Sequence, residues 1–249
     1  MCISAYASTN SFLVNLISAI CLIFYGNSNL KTYNLILGLF AIYTSLMQLV
    51  DLGIWTDLRC KTGTNKLASL LGPVLVFLQP IMIFVIAYLV LTKTKTKLHD
   101  STNSRLDIKQ KIIRLFDISS SKFNLSKAIN IFYGIVLGIF LYVYYTNTHT
   151  DINCSKVTDG SIKWGWLANS HIKYYNMFAL AYFSVGFINF LSINPTSTYI
   201  YFVMAVYIIL LIISFTWKKT HLGEVYCYIS NSIPLILLGG QKLFKKYLN

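Results

Sequence analysis

Charge is what this chain has least of. Only 12% of its 249 residues are Asp, Glu, Lys or Arg, about half the share near 25% that a soluble domain carries. Acid is the scarcer sign, with 8 carboxylates against 21 cations and a net charge of +13. Histidine is rarer again: there are four, none inside a long apolar run, which removes the donors an intramembrane metal hydrolase needs. His149, His171 and His221 all fall between such runs, and no HxxxH, HExxH or CxxC spacing accompanies them. GxSxG and a phosphate-cradling glycine loop are also missing. An enzyme, a cofactor and a metal centre are therefore not expected. Nor does a lysine stand in the middle of the last apolar run, where a retinal pigment would hold one; Lys242 lies at its end.

What replaces charge is hydrocarbon. The chain is 55% hydrophobic with a mean hydropathy of +0.59, a membrane composition. All 21 cations lie outside the cores of the apolar runs. The excess is that of a positive-inside membrane protein and not of a nucleic-acid binder. Met1–Asn10 has neither a basic segment nor a small-residue cleavage site before the first run, so that run is expected to stay as a signal-anchor.

Seven apolar segments approach the roughly 20 residues of a membrane span. They cover residues 11–26, 32–55, 67–92, 128–146, 174–193, 198–217 and 225–242. The expected fold is all-α: one polytopic domain of seven transmembrane helices, since lipid-exposed backbone must be satisfied within helices. Lys and Arg number 13 in the connections and tail on one side and 8 on the other. The richer side is cytosolic by the positive-inside rule, so the N-terminus is non-cytosolic and the C-terminus cytosolic. Trp55, Trp164, Trp166 and Trp217 all fall at the non-cytosolic ends, as an aromatic belt would.

The longest cytosolic connection, residues 93–127, holds nine of the cations. Within it Ile108, Ile112 and Leu115 recur at helical spacing beside Lys109, Lys111 and Arg114. That pattern reads either as a basic amphipathic helix on anionic lipid or as a solvated linker. The fourth run contains Gly134-Ile-Val-Leu-Gly138, which allows close helix approach within the bundle or between copies. Cys60 and Cys154 lie in non-cytosolic connections and could pair under oxidising conditions, with Cys2 and Cys227 as competitors. Cys154 is also the middle residue of an Asn153-Cys154-Ser155 sequon, which such pairing would spoil.

One carboxylate breaks the pattern. Asp51 sits inside an apolar run, where an acid costs roughly 2.5–3.5 kcal/mol on insertion scales. Gln48, Asp51 and Trp55 are spaced to share a helix face. The third run carries Gln79-Pro80 halfway along, and Pro80 frees a carbonyl one turn earlier that a side chain or water must satisfy. The seventh begins at Glu224 and is interrupted by Asn231 and Pro234. Gln48, Asp51, Trp55, Gln79, Glu224 and Asn231 are thus expected to line one outward-facing site for a cation, a proton or a small polar ligand. The structural alternative is that the amides only glue helices together.

These residues carry a resemblance. Met47-Gln48-x-x-Asp51-x-x-x-Trp55, Cys60, Leu78-Gln79-Pro80 and Gly223-Glu224-x-Tyr226-Cys227 resemble a group of uncharacterised seven-helix membrane proteins of giant DNA viruses. That group shows MQxxE near a Trp, a later QP and Gly-x-x-Trp-Cys; here Asp51 replaces Glu and Tyr226 replaces Trp. The resemblance implies a viral multi-pass membrane protein, in a host endomembrane or a virion's internal membrane, and supplies no substrate. The layout is also similar to the parallel 3+1+3 repeat of sugar-efflux and PQ-loop transporters, with Trp55 and Pro80 answering Trp217 and Pro234. The Trp-to-Pro spacings, 25 and 17 residues, differ. A transporter- or receptor-like bundle is one expectation; a scaffold acting through the basic 93–127 loop is the other.

Overall fold

The computed structural model describes residues 4–99, 121–147, 154–158, 161–163, 172–193, 198–217 and 232–243. Among them are seven α-helices and one short β-hairpin. Helix α1 (Ala5–Tyr25) begins where the Ser4 side chain accepts the Ala7 N–H at 3.1 Å, relieving one of the donors a helix start leaves unpaired. It ends at Gly26, and a 3₁₀ turn over Ser28–Leu30 leads into α2 (Lys31–Thr56). The two helices pack along their length because Gly38 lets them. A Cβ there would stand 2.4 Å from Ile23 Cγ1 and 3.1 Å from the Ala19 carbonyl.

Helix α3 (Thr64–His99) contains Pro73 and Pro80. A proline removes one N–H from the helical ladder and its ring pushes against the carbonyl four residues back. Neighbouring helices add side-chain bonds to carbonyls close to each proline. Tyr145 donates to the Leu70 carbonyl at 2.6 Å and Tyr133 to the Phe77 carbonyl at 2.9 Å, each three residues before a proline. Tyr43 donates to Leu75 at 3.1 Å. Both Tyr133 and Tyr145 belong to α4 (Ser121–Asn147), which is thereby fixed in register along α3.

The hairpin pairs β1 (Lys156–Thr158) with β2 (Ser161–Lys163), Val157 facing Ile162. Helices α5 (Ile172–Ile193) and α6 (Thr198–Trp217) follow. Helix α7 (Ile233–Leu243) carries Pro234 in its first turn, where the missing N–H has no partner to lose. Residues 225–231 of the expected seventh span lie outside the described residues. Helix α2 packs between α1 and α3, α7 rests on α1, and α3 contacts α4 and α5.

Three apolar clusters hold the assembly. One, at the α1–α2 turn, joins Leu22, Ile36, Ile83, Tyr199, Val203 and Leu237. A second joins Met47, Val50 and Ile54 of α2 to Ala68 and Ile162. The third packs Phe77 with Tyr133, Leu137 and Val185. The outward faces are no less apolar: Ile17 and Phe24 on α1, Ile131, Phe132, Ile135 and Ile139 on α4, and Ile209 and Ile212 on α6 are exposed. Among the described residues, four stretches, Ala5–Tyr25, Ser28–Thr56, Thr64–Thr92 and Leu125–Val143, are long and apolar enough to cross a membrane. Apolar surface on this scale fits hydrocarbon and not water. Among the described residues Gly134 and Gly138 make no tight contact: a Cβ would meet Ile81 at 3.6 Å at the first and nothing within 4 Å at the second.

Candidate functional site

The last two turns of α2 form the floor of the candidate site. Met47, Val50 and Ile54 turn toward α3 and the hairpin. One position further round, about 100° on the helical wheel, stand Gln48 and Asp51, each 1% exposed. Trp55 packs half-buried against the same apolar cluster. At Gly53 a Cβ would lie 3.2 Å from the Ala68 Cβ, so the small pair lets α2 and α3 approach closely, on a face of α2 turned away from the acid. The Asp51 side chain is enclosed within the bundle. Gln48, Asp51 and Trp55 share this end of the bundle.

Beyond α2 the chain turns through a second acid. The Asp57 carboxylate accepts N–H bonds from Lys61 at 2.8 Å, from Thr62 at 3.2 Å and from Asn65 at 3.4 Å. Burial pushes its pKa up, but the hydrogen bonds from Thr62, Asn65 and Lys61 outweigh that and hold it below the ordinary carboxylate value. Asn65 then ties this turn to the hairpin. Its Nδ2 donates to the Asp57 and Ser155 carbonyls at 3.2 and 3.0 Å. Its Oδ1 accepts from Ser69 Oγ at 3.1 Å and from the Ser155 N–H at 2.9 Å. Cys60, in the left-handed region at φ 53°, is disulfide-bonded to Cys154, Cα to Cα 6.2 Å.

Gln79 (8% exposed) goes elsewhere. Among the described residues it is bonded to the Tyr182 hydroxyl of α5, and not to the α2 pair. Next to it, Asn189 of α5 donates to the Pro80 carbonyl at 2.7 Å. Asn189 and Asn130 of α4 exchange amide bonds at 2.7 and 3.0 Å, and Ser126 donates to the Asn189 oxygen at 2.8 Å. This network sews α3, α4 and α5 together at the proline. Beside it lies a cavity of about 100 Å³ lined by Phe40, Pro80, Ile83, Phe190, Met204 and Tyr207 among others, almost wholly apolar. It does not reach Gln48 or Asp51.

A third polar network closes the opposite end. Gln241 of α7 donates to Asn34 of α2 at 2.6 Å and to the Tyr199 hydroxyl of α6, and accepts the Asn27 N–H at 2.8 Å. Asn34, Tyr199 and Gln241 are all buried. Sequence reasoning passed over these residues and over Asn130 and Asn189. Their signal was an amide alone within an apolar run, the same one that drew notice to Gln48 and Gln79. Glu224 and Asn231 lie outside the described residues, as do Lys109, Lys111 and Arg114 of the basic loop.

Fold and site together define a mainly helical bundle with lipid-compatible faces, a buried acid on its second helix and a disulfide-stapled hairpin packed against that helix. The chain matches no family model, no curated protein and no solved structure.

Proposed function

We propose that this chain is a seven-span membrane protein, N-terminus non-cytosolic and C-terminus cytosolic, whose Asp51 is the charged determinant of a site for a cation, a proton or a small polar ligand. One observation carries the reading: the Asp51 carboxylate is 1% exposed beside an equally buried Gln48, within a stretch long and apolar enough to span a bilayer. An acid so placed costs more than an amide would as mere helix glue, and such residues mark ion and ligand pathways. Gln48 and Trp55 share its helix face and supply an amide and an aromatic wall. Through the resemblance of residues 47–55, 78–80 and 223–227, its membrane is a host endomembrane or one inside a virion. The basic loop of residues 93–127 adds a contact surface for anionic lipid.

The test is Asp51→Asn in proteoliposomes. Proton flux is followed with an entrapped pH dye, and binding by the shift in Tm on adding sodium, potassium or calcium. The variant should match the parent in abundance and monodispersity while losing the flux or the cation-dependent shift. An intact variant with every response unchanged makes Asp51 structural and ends this reading.

A further inference from the structure

The cavity of about 100 Å³ beside Pro80 has walls that are almost wholly apolar. Helix α5 supplies one wall as a single stripe: Tyr182, Gly186 and Phe190 stand one helical turn apart, with Phe183 and Phe187 alongside. Gly186 lies at the middle of that stripe, and among the described residues a Cβ there would meet nothing within 4 Å. The glycine lines open space and not a helix contact. Met204 and Ile208 of α6, also one turn apart, complete this side. Phe187 and Ile208 are each 44% exposed, so the mouth lies between α5 and α6 on the outer face of the bundle. Phe190 and Met204 are buried behind them. The polar groups nearest the cavity are already engaged. The Tyr182 hydroxyl is bonded to Gln79, and the Asn189 amide donates to the Pro80 carbonyl and to Asn130.

Depth decides what can enter. Pro80 falls midway along Thr64–Thr92, a stretch long and apolar enough to cross a membrane, so the mouth opens at the level of the hydrocarbon core. Water there would need two to four polar partners, and the walls offer almost none. An acyl chain needs none. We infer that the α5–α6 cavity takes the end of a bilayer lipid's acyl chain, entering sideways between Phe187 and Ile208. The chain leaves one apolar medium for another, so the hydrophobic effect adds nothing; contact with the walls is what is gained. At the usual cost of unfilled cavity volume, about 100 Å³ favours the filled state by roughly fiftyfold, part of which the ordering of the chain end offsets. The site rests on the membrane reading of the chain and not on Asp51, which the cavity does not reach.

The test maps contact between lipid and protein. The full chain is placed in nanodiscs of palmitoyl-oleoyl phosphatidylcholine doped with a phosphatidylcholine whose acyl chain ends in an alkyl diazirine. After illumination, adducts are located by mass spectrometry. Ile135, exposed on α4 within Leu125–Val143, sets the labelling of an ordinary lipid-facing residue. In the parent the buried Phe190 and Met204 should carry adducts as well. Gly186→Leu fills the space and should cut those adducts about tenfold while leaving Ile135 unchanged. Gly186→Ala leaves most of the cavity open and should stay near the parent. Adducts at Ile135 with none at Phe190 or Met204 in the parent overturn the site, whether or not the leucine variant folds. So do adducts at Phe190 and Met204 that persist in a Gly186→Leu protein with the parent's Tm and monodispersity. No adduct at Ile135 either would overturn the membrane reading together with the site, so the two failures are told apart.

Discussion

At the scale of single residues, the two acids at the hairpin end differ in kind. Asp51 is enclosed within a helix, whereas Asp57 is caged by the amides of its own turn. A carboxyl whose pKa is lower folded than unfolded, where it is about 3.9, adds stability above that value. It loses that stability as the pH falls through the folded pKa. Asp57 therefore holds its turn at neutral pH, and acid releases the amides of Lys61, Thr62 and Asn65. Hydrogen exchange at those three amides, corrected for intrinsic rates, should quicken only below about pH 4. Asp57→Asn should exchange quickly at neutral pH and show no acid step. A corrected rate that stays flat into the acid range would refute the cage. Asp51 was legible in the sequence because a lone acid in an apolar run is costly wherever it points. Asn65 was not, for its worth depends on Ser155, 90 residues away, and no local pattern encodes that distance.

At the scale of elements, helix α3 shows how two prolines are tolerated in a long apolar helix. Tyr145 and Tyr133 reach carbonyls three residues before Pro73 and Pro80. The Asn130–Asn189 pair then clamps α4 and α5 at the Pro80 carbonyl. These are bonds between helices in an apolar setting, each worth about 0.6 kcal/mol and at most about 1.7. Asn189→Ala should cost about 1–3 kcal/mol, because it takes the donor from the buried Asn130 oxygen and from the Pro80 carbonyl, and Asn130→Ala should cost less, because Asn189 keeps its bonds to Pro80 and Ser126. The double variant should cost less than their sum by about 0.6–1.7 kcal/mol. Strict additivity in denaturant unfolding would show that the two amides act separately. Element boundaries were readable where apolar runs end in turns: α6 spans 198–217 as expected, and α2 differs from 32–55 by one residue at each end. Helices α3 and α4 run past the expected 67–92 and 128–146, to His99 and from Ser121. A helix need not stop where hydrocarbon gives way to lysine. Helix α1 begins at Ala5 and not at Ser11 because Ser4 caps it. The hairpin left no apolar run at all, and its three-residue strands are set by tertiary contact.

At the scale of the whole molecule, the two ends of the bundle are chemically unlike, and that difference bears on orientation. The end with the hairpin holds the Cys60–Cys154 bond, and disulfides persist on the oxidising side of a membrane. In the proposed topology the connections on that side hold the poorer share of Lys and Arg, 8 against 13. The opposite end gathers Asn27, Asn34, Tyr199 and Gln241 into one buried network, with Lys242 exposed just beyond it. Charge bias and cysteine chemistry are independent, since one acts during insertion and the other afterwards, and both support the proposed orientation with the hairpin outside. In sealed vesicles of the parent orientation, a cysteine at Lys156 should therefore react with an impermeant reagent at once. A cysteine at Lys242 should react only after the membrane is opened. Because α2 and α7 meet through Asn34 and Gln241, an inverted result could not be confined to one helix. It would turn the bundle over and put the disulfide in a reducing space.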